Sequence, residues 1–166
     1  MNNIYQFYKN DSNNKIEIDN GFESFYFSPK FFTNKLHKGL YIKSNLLYFF
    51  WYIITFGSYK ILYIIDKKTS NIAHFSNIMP KLFKYNFMRS SDLQILHCFT
   101  YKDYRGNKLY EYALSKILND FNDNDIWIGS HVSNQISIKV IENSGFKKMF
   151  NVQKRSILGI YYKINE

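Results

Sequence analysis

The stretch YKDYRGNKLYEYALSKIL, residues 101–118, joins the end of a predicted strand to the most regular helical pattern in the chain. Apolar side chains recur there and just beyond at intervals of three and four residues, at Tyr110, Ala113, Leu114, Ile117, Leu118 and Phe121. This spacing is typical of one face of an amphipathic α-helix.

The start of this helix is a candidate anion-binding site. Arg105 and Gly106 precede it in a chain that has only seven glycines. The first amides of a helix have no acceptor within the helix, so they can bind a phosphate, which Gly106 would leave accessible and Arg105 would attract. An Arg-Gly pair between a strand and a helix is also compatible with a plain turn, so the flanking sequence decides between the two.

Strand patterns flank the helix on both sides. The run DLQILHCFT, residues 92–100, precedes it, and IWIG, residues 126–129, follows it. A strand, a helix and a strand in this order predict a right-handed crossover and a parallel pair. Before them, the β-rich residues 59–66 and 71–78 predict a hairpin, because only the four polar residues 67–70 separate them.

Other segments complete the predicted elements. Residues 133–146, SNQISIKVIENSGF, predict a second helix with Ser133 or Asn134 as its cap and Gly145 at its end. Residues 154–164 predict a closing strand, and the first forty residues predict short helices and loops.

The most apolar run is LLYFFWYIITF, residues 46–56, which predicts a buried helix or strand. Ser44 and Asn45 are its candidate caps, and Gly57 is its candidate end. Crossing a bilayer takes about 20 apolar residues. A run of 11 residues therefore predicts no membrane span.

The composition favours one globular domain over residues 1–166, since 46% of the residues are hydrophobic and 20% are aromatic. Lysine and arginine outnumber aspartate and glutamate by 22 to 13, which gives a net charge of +9. Because the lysines are scattered, we attribute the charge to a solvated surface and predict no nucleic-acid partner. A basic module that stacks RNA bases on aromatic side chains is the alternative.

Two further features bear on the cellular compartment. The single cysteine, Cys98, excludes an internal disulfide framework. The N-terminal sequence MNNIYQFYKNDSNNK lacks the basic and then apolar layout of a secretory signal. The expected location is therefore cytoplasmic.

The order of these elements carries a resemblance to a known family. Five features follow one another over roughly residues 92–150. They are a strand, a Tyr-Arg-Gly loop, an amphipathic helix, a short strand and the pattern N-x-x-S-I-x-x-I-E-x-x-G-F, which begins at Asn134. This order resembles the GNAT superfamily of acyl-CoA-dependent N-acyltransferases. The resemblance implies an α/β fold: a mixed, largely antiparallel sheet of about six or seven strands, helices on both faces, and one parallel crossover that carries the coenzyme A site.

The resemblance also implies where the pyrophosphate of acetyl-CoA or another acyl-CoA would bind. In the family, a loop of consensus Gln/Arg-x-x-Gly-x-Gly/Ala holds the pyrophosphate through its amides. The aligned residues here are Arg105, Gly106, Asn107, Lys108, Leu109 and Tyr110. Lys108 replaces the main glycine, and Tyr110 replaces the last small residue. A lysine fits this loop if position 108 does not require a positive φ, and its ammonium could contact a phosphate directly. We expect that binding is retained; the alternative is that the lysine side chain blocks the pyrophosphate and leaves a scaffold that does not bind the donor.

By the same resemblance, the pantetheine arm would lie along Cys98, Phe99 and Thr100, where their strand parts from its neighbour. Asn134 would contact this arm, with Ser137 one turn further along the second helix. A plain helix cap is the other interpretation of Asn134.

The catalytic groups are less clearly marked. The family has a tyrosine acid where this chain has Ile141. Ser137, a water or, more distantly, Tyr110 would have to take its place. His97, on the strand that carries the donor, and His74, on the neighbouring strand, are the candidate bases. No metal site is indicated.

The acceptor is predicted from a narrower resemblance. The pattern YKILYIID…IAHFSNIMPKLFKYNFM…DLQILHCFT…YRGNKLY resembles acyltransferases encoded with bacterial surface-polysaccharide machinery. This resemblance implies a small-molecule amine acceptor, an amino sugar or a nucleotide sugar, and homodimers are common among related enzymes. A peptide or protein amine is the rival acceptor, and a GNAT scaffold that has lost its chemistry is the rival to catalysis.

Overall fold

A computed structural model of the chain describes residues 4–12, 16–30, 35–37, 40–41, 46–82, 85–154 and 161–164. Its helices are α1 (Leu46–Ile54), α2 (Leu109–Asp120) and α3 (Gln135–Asn143). Its strands in chain order are β1 (Ile4–Asn10), β2 (Phe22–Phe27), β3 (Lys35–His37), β4 (Leu40–Tyr41), β5 (Lys60–Asp66), β6 (Ile72–Pro80), β7 (Leu93–Thr100), β8 (Ile126–His131), β9 (Phe146–Lys154) and β10 (Tyr161–Lys163).

Eight of these strands form one sheet in the order β10-β9-β1-β8-β7-β6-β5-β2, and β3 and β4 form a separate ribbon. Neighbouring strands of the large sheet are antiparallel except for β7 and β8, which α2 connects as a parallel pair. The predicted fold class is confirmed, and the sheet has eight strands where about six or seven were predicted.

The two faces of the sheet are covered differently. On one face, α2 and α3 pack on strand residues such as Leu62, Ile64 and Ile128. On the other face, Trp51 of α1 packs near Tyr59, Ile61 and Tyr63. A second apolar cluster around Trp127 includes Leu82, Tyr85, Phe87 and Met88. Helices therefore lie on both faces, and central strands such as β5 and β8 are largely buried between them.

The prediction of short helices and loops for the first forty residues is wrong. β1 lies inside the sheet between β8 and β9, and β2 forms the edge beside β5. Phe7 and Tyr8 pack in clusters on opposite faces of the sheet, so β1 lacks the alternation of apolar and polar residues that marks a half-exposed strand. β9, with the sequence FKKMFNVQK, was missed. β10 lies at the end of the predicted closing strand, and residues 155–160 of that prediction are outside the described residues.

The apolar run at residues 46–56 does form a helix, but the prediction that it is buried is wrong. Phe50 and Ile53 are 52% and 53% exposed, and Phe56 is 95% exposed. Gly57 ends the helix as predicted: its φ is 77°, and its N–H bonds to the carbonyl of Tyr52 at 2.9 Å.

The candidate caps Ser44 and Asn45 lie outside the described residues. Across the described ranges, every helix falls short of the length and apolarity that a bilayer crossing requires.

Candidate functional site

A gap opens in the middle of the sheet between the two parallel strands. β7 and β8 pair at Leu93–Ile126, Gln94–Trp127 and Ile95–Ile128, and the register ends there. β7 nevertheless runs on to Thr100, held on its other side by β6. Residues 96–100 of β7 thus present a strand edge to the gap, and the backbone groups on this edge can bind an extended ligand.

A β-bulge shapes β7 at the gap. The register between β6 and β7 shifts between Phe75 and Asn77, opposite His97, whose φ is 49°. A bulge bends its strand and redirects the side chains that follow. As a result, Cys98 comes next to Ser76 and Tyr110, with its thiol hydrogen bonded to both hydroxyls.

The loop between β7 and α2 has the strained backbone of a binding turn. A 3₁₀ turn at Lys102–Tyr104 is followed by Gly106 with φ 87° and by Lys108 with φ 53° and ψ 21°. The expectation that Lys108 could avoid a positive φ is wrong, because Lys108 occupies the left-handed region just before the first residue of α2. Glycine adopts this conformation without steric cost, so the loop keeps a glycine-type backbone with a lysine side chain added.

A cavity of about 500 Å³ lies between this loop, the free edge of β7 and the start of α3. Its volume is within the range of small-molecule pockets, about 300–1,000 Å³. The predicted donor-site and catalytic residues that line it are His74, Cys98, Phe99, Thr100, Arg105, Gly106, Lys108, Leu109, Tyr110, Asn134 and Ser137. The fold therefore brings together predicted residues from β6, β7, α2 and α3 that lie far apart in the sequence, from His74 to Ser137.

Two predicted residues do not line the cavity. His97 is exposed on β7, and its side chain is not part of the cavity wall. Asn107 is turned toward the loop itself, where its amide donates to the carbonyl of Tyr104 at 3.0 Å. That bond closes the turn before α2 and gives Asn107 a structural role.

His74 lies at the base of the cavity and is fully buried. Its Nδ1 is 2.7 Å from the hydroxyl of Thr100, and its Nε2 is 2.8 Å from the hydroxyl of Ser76. Burial lowers the pKa of His74 from 6.5 to about 4, so the imidazole is neutral at physiological pH. A neutral imidazole donates through one nitrogen and accepts through the other, which matches its two hydroxyl partners.

Tyr110 also lines the cavity. Its ring stacks on the imidazole of His74, with 5.9 Å between centroids and 28° between planes. Its hydroxyl is hydrogen bonded to the thiol of Cys98 and to the hydroxyl of Ser137. Burial raises the pKa of Tyr110 well above its ordinary value, and burial likewise raises the pKa of Cys98 to about 11. Both groups therefore stay protonated at neutral pH.

Asn134 caps α3, because its side-chain oxygen accepts from the N–H of Ser137 at 3.2 Å. This bond engages the oxygen of the amide group, so the NH₂ group can still donate to a ligand in the cavity that Asn134 lines. Asn134 can therefore cap α3 and contact a ligand at the same time. Ile141, at the position of the family's tyrosine, is buried in the core below.

Four residues of the cavity wall were not predicted: Tyr104, Glu111, Ile136 and Val140. Val140 follows Ser137 by one helical turn, and Glu111 lies on the first turn of α2, so helical periodicity could have indicated both. Ile136 is 83% exposed at the rim, and an apolar residue on the first turn of a helix gives no such signal. Within the described ranges, no three His, Cys, Asp or Glu side chains are grouped as metal ligands.

Comparisons of sequence alone find no relative: no protein-family model matches the chain, and no curated protein is significantly similar to it. Solved structures do share its architecture. A GCN5-related N-acetyltransferase from Sphaerobacter thermophilus superposes with a TM-score of 0.61 at 8% identity, over 92% of this chain and 50% of that chain. A GCN5-related N-acetyltransferase-like protein from Streptococcus suis gives 0.56 at 12% identity, over 92% and 61%.

A third solved structure, a tandem GNAT protein from the clavulanic acid biosynthesis pathway, gives a TM-score of 0.57 at 10% identity, over 92% of this chain and 54% of that chain. The chain thus spans between 50% and 61% of the length of these three proteins. At such low identities the similarity establishes the arrangement of the elements and leaves the activity to be argued from the site. The chain has the GNAT acetyltransferase fold.

Proposed function

We propose that the chain is an acyl-CoA-dependent N-acyltransferase that transfers an acyl group, acetyl being the simplest, from the thioester directly to a primary amine. The observation that carries this proposal is the position of the cavity. It lies where the parallel strands part, with the start of α2 and two cationic side chains, Arg105 and Lys108, at its wall. In α/β proteins such a place at the ends of parallel strands is where ligands bind.

The pyrophosphate of the donor would bind at the start of α2. The amides of the first helical turn have no acceptor within the helix, and the helix dipole is positive at this end. Arg105 and Lys108 are exposed beside these amides and add positive charge, which exceeds the single negative charge of Glu111 on the same wall. The side chain of Arg105 is held loosely, 3.4 Å from the carbonyl of Thr100, so it can turn to a phosphate.

The pantetheine arm of the donor would lie along the free edge of β7. An extended amide-containing chain can bond to the backbone groups of residues 96–100 in the way an added strand does. The amide of Asn134, on the opposite wall, supplies a further polar contact. This arrangement directs the thioester toward the bulge at His97 and Cys98.

The chemistry forms a bond from the amine nitrogen to the acyl carbon and breaks the bond from that carbon to sulfur. The amine must be neutral to attack, so its proton has to reach a base or water. His74 is buried with both nitrogens bonded, so it could act only through the hydroxyl of Thr100, which lines the cavity. Water at the mouth of the cavity is the more direct acceptor, and His97 could assist only after a movement toward it.

An amino sugar, free or carried on a nucleotide, is the acceptor that we propose. Phe99 and Tyr101 are 44% and 43% exposed, and their rings contact each other edge to face at 5.1 Å. Phe99 also lines the cavity, so an exposed aromatic surface adjoins the place of the thioester. Aromatic faces suit the apolar faces of sugar rings. A peptide or protein amine is the alternative acceptor.

The first test is calorimetric titration with acetyl-CoA. We expect saturable binding that weakens by about 1.5–3 kcal/mol in Arg105→Ala, the value of a hydrogen bond to a charged group. Arg89→Ala is the matched control, because Arg89 is also exposed but does not line the cavity. If no acyl-CoA binds, the proposal is wrong, and steeply salt-dependent RNA binding would then indicate the nucleic-acid module.

The second test measures release of the coenzyme A thiol with a panel of amino sugars, nucleotide-linked amino sugars and peptides. Transfer to an amino sugar supports the whole proposal, whereas transfer to peptides alone would keep the reaction and replace the acceptor. Donor binding without transfer to any amine would identify a scaffold that has lost its chemistry.

A further inference from the structure

We propose that the hydroxyl of Tyr110 donates the hydrogen bond that stabilises the thiolate leaving group of the acyl donor. This inference rests on the proposed function. It places the group that assists the leaving sulfur on the first turn of α2, at a loop position where a small residue was expected, and not on α3, where Ile141 is buried in the core.

The location of the Tyr110 hydroxyl is the first argument. It contacts two elements that border the gap, β7 through Cys98 and α3 through Ser137. Cys98 belongs to the part of β7 that lies beyond its last pair with β8. A pantetheine arm that follows this free edge therefore brings its sulfur close to Cys98, and so close to the hydroxyl that bonds to Cys98.

The second argument is the hydrogen-bond partner of the Tyr110 hydroxyl, the thiol of Cys98. The bond from Tyr110 to Cys98 already joins a phenol hydroxyl to a sulfur atom. The thiolate of the donor is a charged sulfur and hence a stronger acceptor than the neutral thiol of Cys98. The hydroxyl can thus exchange one sulfur acceptor for a better one without leaving the cavity wall.

The way in which Tyr110 is held is the third argument. Its ring is stacked on His74, which is itself fixed by Thr100 and Ser76. On its other side Ser137 bonds to the same hydroxyl. When Ser137 donates to the tyrosine oxygen, the tyrosine proton becomes a stronger donor, because linked hydrogen bonds polarise one another. Such a fixed donor needs little reorganisation during the reaction.

The other candidate groups at the cavity fit the leaving sulfur less well. His74 is buried behind the tyrosine ring, with both nitrogens engaged. Cys98 has a thiol that is a weak donor. Ser137 reaches the sulfur position through Tyr110. Among the residues that line the cavity wall, the Tyr110 hydroxyl combines a strong donor with a position at the free edge of β7.

Because the pKa of Tyr110 is raised, its hydroxyl donates a hydrogen bond to the thiolate and does not transfer its proton. An ordinary thiol has a pKa near 8.5, so complete transfer from a phenol whose pKa lies well above 10 would be uphill. The proton therefore stays on Tyr110. The C–S electron pair leaves with sulfur, the new N–C bond forms, and the amine proton goes to water. Solvent protonates the thiolate when coenzyme A is released.

The experiment is a pH titration of the thiol of bound coenzyme A, which requires no acceptor. The ultraviolet absorbance of the thiolate is followed in complexes of the wild-type protein, Tyr110→Phe and Tyr112→Phe. A parallel titration with desulfo-coenzyme A, which lacks the thiol, measures the absorbance change from the ionisation of tyrosines and of Cys98. This change is subtracted from that of each coenzyme A complex. Tyr112 is the matched control, because it lies on the same helix but bonds to Ser24 at 2.7 Å, away from the cavity.

We expect the pKa of the bound thiol to be about one to two pH units higher in Tyr110→Phe than in the wild type, and unchanged in Tyr112→Phe. Affinity for coenzyme A at neutral pH should be retained, since phenylalanine keeps the ring on His74 and the bound thiol is then neutral. Equal thiol pKa values in the wild type and Tyr110→Phe would overturn the inference and leave the proposed function intact.

Two other outcomes are decisive. A folded Tyr110→Phe that no longer binds coenzyme A would make Tyr110 a donor-binding residue and contradict its role at the sulfur. No binding by the wild type would overturn the proposed function, and this inference with it. If Tyr110→Phe fails to fold, Ser137→Ala replaces it, because it removes the hydroxyl that polarises Tyr110. It must raise the thiol pKa in the same direction, and an unchanged value refutes the inference.

Discussion

Mild acid should destabilise the protein through His74. In the folded state this side chain is fully buried, and hydroxyls occupy both of its nitrogens, at 2.7 Å from Thr100 and 2.8 Å from Ser76. A protonated imidazole would place a charge in the core beside the Tyr110 ring, whereas the unfolded chain exposes it to water. Protons therefore bind the unfolded state first.

The size of the effect follows from the two pKa values. Burial lowers the pKa of His74 from 6.5 to about 4, a difference equivalent to about 3 kcal/mol. Above pH 6.5 the imidazole is neutral in both states and contributes nothing to the pH dependence. As the pH falls from 6.5 toward about 4, the free energy of unfolding decreases by about 1.4 kcal/mol per pH unit. Below that range both states are protonated, and the loss is complete.

The assay is urea denaturation at about pH 7 and about pH 5, where the wild-type protein should lose about 2 kcal/mol. His74→Gln keeps a donor and an acceptor but cannot be protonated, so its free energy of unfolding should change far less between these pH values. His97→Asn is the control, because it removes an exposed histidine at a position with φ 49° that asparagine tolerates.

Asp66 does not obscure this window. The pKa of Asp66 lies below its usual 3.8, chiefly because the N–H of Lys68 and the hydroxyl of Thr69 donate to it. Its contribution is present above that value and is lost only as the pH falls below it. An equal decrease in the wild type and His74→Gln between about pH 7 and about pH 5 would refute the assignment of the acid sensitivity to His74.

Three further substitutions test the glycine-type backbone positions. Lys108→Gly relieves the left-handed φ of 53°, worth about 1–2 kcal/mol, but adds chain entropy worth about 0.5–1 kcal/mol to the unfolded state. The free energy of unfolding should therefore rise by at most about 1.5 kcal/mol in urea denaturation. Its affinity for acetyl-CoA should fall if the ammonium meets a phosphate, and a higher affinity would instead show that the lysine obstructs the donor. Gly145→Ala should cost at least about 3 kcal/mol, since φ is 94° and the added Cβ would lie 2.4 Å from the carbonyl oxygen of Ser12. Gly106→Ala, with φ 87° and open space around its Cβ, should cost only about 1–2 kcal/mol, and equal losses at both positions would contradict this reasoning.

The parts of the fold that could be predicted are those in which one local pattern determines one element. α2 and its C-cap Phe121 show six apolar residues at helical spacing, and α3 has both a cap and a terminal glycine. β1 and β9 gave no such pattern. β1 alternates little because both its faces are buried, and in β9 the exposed lysines of FKKMFNVQK interrupt the apolar positions. The sheet partners of β1 supply the stability that its own sequence does not indicate.

The candidate site, like the fold, could be predicted only in part. The loop and the cap were predictable because their residues are contiguous in sequence. The contact between His74, Cys98 and Tyr110 depends on the register of β6 with β7 and on the bulge between Phe75 and Asn77. A shift of either strand by one residue would direct His74 or Cys98 to the other face of the sheet, away from Tyr110. Spacing along the chain could not reveal that Tyr110 would meet a sulfur atom.

The two departures from glycine in the loop have different physical consequences. Lys108 keeps the left-handed backbone and adds a charge at the exposed wall, where an anionic donor would gain from it. Tyr110 adds a large side chain inside the cavity wall, where an unpartnered hydroxyl would be unfavourable and the ring could fill the cavity. Instead the hydroxyl bridges β7 and α3, and a cavity of about 500 Å³ remains with both side chains in place. A loop that had simply closed over the gap would have filled this space. Under the proposed function, these two residues would line the donor site with one cation and one hydroxyl, beside the gap between β7 and β8.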